Sequence, residues 1–141
     1  TGEMVEHHGK YYDFPNLSIN PVPKKEMPIV IGGTATPVLK RAARIADGFV
    51  SPNTNADHIG EMVKEIHGYR KEYGSDNKPF QMISVATDVF DLDGHKKLRD
   101  LGVDEACVMP WFYYGGKFKS PMDFKIESRK RFADEVMSKL N

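Results

Sequence analysis

The chain has 141 residues, of which 40% are apolar and 28% charged, the balance of a soluble domain large enough to bury one core. Twenty Lys and Arg offset twenty Asp and Glu, so no global field favours nucleic acid or an anionic membrane. No apolar run nears the roughly 20 residues of a membrane-spanning helix, and the single cysteine excludes an internal disulfide and fits a reducing, cytoplasmic setting.

Thr1-Gly2-Glu3 is not an initiator sequence, and the chain is expected to be trimmed, processed or part of something longer. Residues 1–27 hold no sustained hydrophobic period; three prolines, a glycine and two asparagines in "EHHGKYYDFPNLSINPVPKKEM" predict an irregular, extended excursion rather than helix or sheet. Four similar units follow. Ile29-Val30-Ile31 is continuous and β-branched, a strand covered on both faces. Thr36 is the expected N-cap of the next helix, Pro37 its first residue, and Val38, Leu39, Ala42, Ala43 and Ile45 its apolar face, with Gly48 at its end.

The second unit is "GFVS" and a helix over about residues 55–72, striped by Ile59, Met62, Val63, Ile66 and Tyr69. The third is a strand within residues 80–90, with Ile83, Val85 and Val89 in alternation, then a helix to about Leu101 stopped by Gly102. The fourth is "EACVMP", a Gly-rich insertion, and a helix over residues 121–140 burying Phe124, Phe132, Val136 and Leu140. Strand and helix alternating four times imply an α/β fold of parallel strands with crossover helices. Such units make either an open sheet or half of a (βα)8 barrel, which takes about 250 residues when complete.

"IGGTAT" closes the first of these strands. A helix N-terminus there presents amides without partners and the positive end of a dipole. Gly32 and Gly33 remove the Cβ atoms that would hold a phosphate off the backbone, and Thr34 and Thr36 add hydroxyls. The same six residues also suit a plain strand-to-helix turn. No dinucleotide or P-loop glycine pattern is present.

The remaining residues favour structure over chemistry. His7 and His8 are adjacent, and His58, His67 and His95 lack paired ligand spacing, so no metal site is expected. Arg44 and Asp47 are expected to pair at a helix end. Cys107, in an apolar strand, reads as core. Trp111, Phe112, Tyr113 and Tyr114 follow a strand's C-terminal end, where they suit a pocket wall or a hydrophobic cover equally. "KIESRKRF" reads as a solvated helix face.

Taken in order, Gly9-Lys10-Tyr11-Tyr12, Pro21-Val22-Pro23, "PIVIGG", "AARIADGF" and "DLGVDEACVMPW" resemble the bacterial luciferase-like monooxygenase family, which includes oxidoreductases using the deazaflavin coenzyme F(420). The resemblance runs over residues 7–111 and implies that residues 28–141 are the C-terminal half of a TIM barrel. It implies FMN or the deazaflavin as cofactor, its phosphate held at Gly32, Gly33 and Thr34, with a small-molecule substrate. The family's first four strands have no counterpart in this sequence, and no catalytic residue is assigned. A homodimer or a separate N-terminal half is then the expected partner, because residues 29–31 and 106–109 would be unpaired sheet edges. The competing expectation is a stand-alone, non-catalytic half-barrel that oligomerises or binds phosphate.

Overall fold

The computed structural model describes residues 2–140. Its centre is a four-stranded parallel sheet in the order β3 (Val30–Gly32), β4 (Gly48–Thr54), β5 (Gln81–Ala86) and β6 (Glu105–Ala106). The helices α1 (Thr36–Ile45), α2 (Ala56–Glu72) and α3 (Leu92–Asp100) connect successive strands. A short α4 (Pro110–Tyr113) and the longer α5 (Met122–Glu135) follow β6. Sequential order in a parallel sheet makes each connection a crossover, and the four units form the arc expected of half a (βα)8 barrel.

The core lies between sheet and helices. Leu39, Ala42 and Ala43 of α1 and Ile59, Met62, Val63 and Ile66 of α2 are buried against Phe49 of β4 and Met82 of β5. Of the α2 stripe its spacing predicts, four residues are buried and Tyr69 is half-buried against them, and Asn55 caps the helix by accepting the His58 amide at 2.9 Å. Gly102 ends α3 with φ +91°, a conformation that favours glycine.

Several expectations are corrected. Residues 1–27, read as neither helix nor sheet, carry an antiparallel hairpin of β1 (Val5–His8) and β2 (Asp13–Leu17). Its turn is closed by the Gly9 amide donating to the Tyr12 carbonyl. The N-cap of α1 is Ala35, not Thr36, and makes no side-chain cap bond. Ile45, expected on the apolar face of α1, is 63% exposed. Gly48 belongs to β4, where a Cβ would stand 2.7 Å from the Gln81 carbonyl oxygen; close strand approach, not helix termination, demands glycine.

In β5 the buried residues are Met82 and Ser84, while Ile83 and Val85 are half-buried on the opposite face; the strand ends at Ala86, so Val89, the third residue of the expected alternation, is buried in the loop beyond it. Cys107 is exposed because β6 ends at Ala106 and the concave side of the sheet is open. The last helix ends at Glu135 rather than near residue 140; Phe132 within it and Val136 just past it are buried as expected, but Phe124 is exposed and Leu140 only half-buried. Asp47 makes no ion pair with Arg44; its carboxylate takes the Ile29 amide instead.

Pro52 stands inside β4, where it lacks the N–H a ladder requires. The pairing with β5 shifts register between Val50 and Asn53, and the Ser51 hydroxyl substitutes for backbone by accepting the Val85 amide at 3.0 Å. This irregularity sets Asn53 opposite Val85 at the C-terminal end of the sheet.

Candidate functional site

Parallel strands bring their C-terminal ends to one rim, and the loops after β3, β4, β5 and β6 meet there. The glycine turn lies at its β3 end. Gly33 has φ +147°, and a Cβ on it would meet Val38 Cγ1 at 3.1 Å; one on Gly32 would stand 2.8 Å from Val50 Cγ1. Neither position accommodates a side chain without displacement.

The helices leaving this rim differ at their N-termini. In α2 the Asn55 side chain caps the first turn, and the Asp88 carboxylate, from the loop after β5, accepts the Ala56 amide at 2.9 Å. In α3 the Asp91 side chain accepts the Gly94 amide at 2.8 Å. Both carry an acidic residue in the first turn, Asp57 and Asp93. The α1 start has no side-chain cap and no acidic residue. Among the described residues, no protein acceptor meets the amides of Gly33, Thr34, Ala35 or Thr36. Those donors, with the exposed Thr34 and Thr36 side chains beside them, suit a phosphate group chemically.

At the β5–β6 end of the rim the loops enclose a cleft of about 380 Å³, walled by Val85, Phe90, Met109, Phe112 and Tyr113, with Asn53 and Cys107 also lining it. The aromatic run that suited either a wall or a cover does both. Tyr113 meets Phe90 edge to face at 5.2 Å and Phe132 at 5.4 Å, joining the cleft to the packing under α5. Burial pushes its phenol up to about 12, so it stays protonated near neutrality. Beneath it, His95 is 6% exposed, 5.5 Å from the Phe132 ring, and its Nε2 has no partner among the described residues. Desolvation lowers its pKa, outweighing the nearby Asp91 charge.

The sequence reading singled out Gly32, Gly33 and Thr34 and the aromatic run, and the structure sets both on this rim. It missed Asn53, Phe90 and the exposure of Cys107. Their signal was position alone: each lies at or just past a strand's C-terminal end, where barrel enzymes carry their chemistry. His58 is taken by Glu61 at 3.1 Å and His8 by Asp13 at 2.6 Å. No cluster of three metal-ligating side chains occurs among the described residues, and none of their helices is long and apolar enough to cross a membrane.

Residues 1–97 match the family model described as luciferase-like monooxygenase. An uncharacterized protein of Mycobacterium tuberculosis and one of Mycobacterium bovis are each 34% identical over a 143-residue alignment, taking in 99% of this chain and 48% of the relative. The chain thus spans about half the length of the curated relatives it matches. An F(420)-dependent glucose-6-phosphate dehydrogenase of Nakamurella multipartita is 38% identical over 59 residues, 42% of this chain and 17% of that protein. Among solved structures, the coenzyme F(420)-dependent tetrahydromethanopterin reductase of Methanopyrus kandleri superposes with a TM-score of 0.69 at 15% identity. That likeness is one of fold, and it covers 99% of this chain and 59% of the reductase.

Proposed function

Because this chain belongs to the luciferase-like monooxygenase family, we propose that it is the C-terminal half of a (βα)8-barrel oxidoreductase and seats the phosphate of a deazaflavin cofactor on Gly32, Gly33 and Thr34. The observation that carries this reading is the α1 N-terminus, whose first amides meet no protein acceptor among the described residues while α2 and α3 are capped by their own or neighbouring carboxylates and amides. The stretch shared with an F(420)-dependent dehydrogenase favours the deazaflavin over FMN. The cofactor, when bound, supplies the hydride chemistry. The chain's own contribution is to hold its phosphate end with backbone donors and to keep side chains out of the space at Gly32 and Gly33.

The same reading requires a second half. The chain exposes 10137 Å², whereas a compact monomer of 16.0 kDa exposes about 7,400 Å². The surplus far exceeds the roughly 800 Å² per partner of an ordinary interface. It includes the free edges of β3 and β6, exposed Ile29 and Ile45 on one side, and a groove on the other floored by Val108, Ile126, Ala133 and Met137. An N-terminal half, for which the chain's span of about half its relatives' length leaves room, would cover both.

Titration with coenzyme F(420), followed by its fluorescence, tests the cofactor assignment. Saturable binding that is weakened in Gly33→Val supports it. Absence of binding in a preparation whose barrel is complete overturns it, and binding of FMN alone replaces the deazaflavin.

A further inference from the structure

We propose that the cleft between the β5 and β6 ends is a binding subsite for an uncharged, ring-bearing small molecule that carries a carbonyl or hydroxyl group. It names a substrate class for the oxidoreductase reading and rests on that reading only in calling the occupant a substrate.

The cleft is built entirely by this half of the barrel. One wall is the loop after β5, with Phe90; the other is the segment after β6, with Met109, Phe112 and Tyr113; Val85 and Cys107 lie between them. It adjoins the free β6 edge through Cys107, Val108 and Met109 and shares Val108 with the α5 groove, while its aromatic walls come from this chain alone. Its 380 Å³ falls within the range of about 300–1,000 Å³ typical of small-molecule sites.

The lining chemistry sets the ligand class. No Asp, Glu, Lys or Arg lines the cleft, so a charged ligand group would be desolvated there without a counter-charge. Three aromatic rings, a thioether and a thiol offer flat, polarizable surface suited to a planar ring. Phe90 and Met109 remain 51% and 41% exposed, large apolar side chains left bare on the cleft walls. Phe112 is held edge to face by Phe118 at 4.9 Å and Tyr113 by Phe90 and Phe132, so the walls are braced before a ligand arrives. The polar groups are neutral: the Asn53 amide, the Thr87 hydroxyl and the Tyr113 phenol, donors fit for one oxygen atom of a ligand. The buried His95 beside Tyr113 is kept uncharged near neutrality by the same desolvation, so no cation lies beneath the wall.

Cys107 is the only cysteine and is exposed in this cleft, which makes it the reporter. The test is the rate at which N-ethylmaleimide alkylates Cys107 in the protein as isolated, without cofactor, in the presence of 2-naphthol or of 2-naphthalenesulfonate. The expected result is about tenfold slower alkylation at a naphthol concentration ten times its dissociation constant, no protection by the sulfonate, and weaker protection in Phe112→Ala. Equal protection by both compounds, or none by naphthol, overturns the proposal. So does a Cys107 that is unreactive before any ligand is added, which would mean that protein already fills the cleft. The wild-type comparison stands even where Phe112→Ala fails to fold. Naphthol protection in a protein that does not bind coenzyme F(420) keeps the cleft and removes the cofactor reading; the reverse result removes only the cleft.

Discussion

The Asp47 carboxylate accepts the Ile29 amide at 2.8 Å while the Asp47 amide donates to the Ile29 carbonyl at 2.9 Å. One residue between α1 and β4 thus brackets the start of β3. Asp104 repeats the device between α3 and β6, taking the Met82 amide at 2.7 Å and donating to the Met82 carbonyl at 2.9 Å. A parallel strand begins with donors its ladder does not reach, and an aspartate just before the neighbouring strand supplies the acceptor.

Removing that acceptor should loosen the N-terminal end of the sheet without touching the rim where the cofactor is proposed. Asp47→Ala is expected to cost about 1 kcal/mol, below the usual range for a charged hydrogen bond because the site is exposed. Asp47→Asn, which keeps a carbonyl oxygen, should lose less. Urea denaturation midpoints check the order, and coenzyme F(420) affinity should be equal in all three proteins.

At the opposite end of the strands, Gly33→Ala separates conformation from chemistry. Its φ of +147° is disallowed to alanine in practice, and the new methyl would meet Val38 Cγ1 at 3.1 Å. The strain is expected to cost about 1–3 kcal/mol, visible as a lower melting temperature. Thr34→Val has no such strain; any loss of coenzyme F(420) affinity there reports the hydroxyl alone. A Thr34→Val protein with unchanged affinity would confine the proposed seat to backbone amides.

These positions also show what was legible in the amino-acid sequence. Period and punctuation carried α2, whose stripe of Ile59, Met62, Val63 and Ile66 is buried throughout, and they carried the stop at Gly102. Phase was not legible in β5. One face carries Ile83 and Val85 and the other Met82 and Ser84, and alternation alone could not say which of them faces α2. The packing side went to Met82 and the small Ser84. Ile45 and Cys107 were misjudged for another reason: apolar residues imply cover, but Ile45 is 63% exposed on α1 and Cys107 lies past the end of β6 in the open β5–β6 cleft. The glycine turn was legible because it depends on local backbone geometry. The β5–β6 cleft was not, because Asn53, Phe90 and Cys107 are far apart in sequence and meet only through the topology.

Arg70 was invisible for a similar reason, since nothing in "GYRKEYG" marks it as buried. It is 3% exposed, donates to the Ser75 and Lys78 carbonyls at 2.6 Å each, and lies 4.2 Å over the Phe80 ring. It therefore latches the loop between α2 and β5. Arg70→Met keeps most of the bulk but removes both donations, leaving the Ser75 carbonyl only the Lys78 amide at 3.2 Å, and a loss of about 1–3 kcal/mol is expected. Arg70→Lys should recover little, because a single ammonium cannot copy the planar fork or its stacking. Thermal denaturation of the three proteins, with limited proteolysis at residues 73–79, checks this.

His95 predicts how stability responds to acid. Burial lowers its folded pKa below the ordinary 6.5, so between the two values the unfolded chain binds a proton that the folded chain does not. Stability then rises with pH wherever the unfolded state carries more protons. The His95 contribution is accordingly intact above about pH 6.5 and declines as pH falls towards the folded pKa, with a limiting slope of about 1.4 kcal/mol per pH unit for one proton. Replacement by Phe should remove this dependence, since an aromatic ring between Tyr113 and Phe132 needs no partner for a buried Nε2. Melting temperatures from pH 5 to 7.5 are expected to fall less steeply with acid in His95→Phe than in the natural protein, and to match or exceed it at pH 7. Parallel profiles for the two proteins would show that another group governs the acid response.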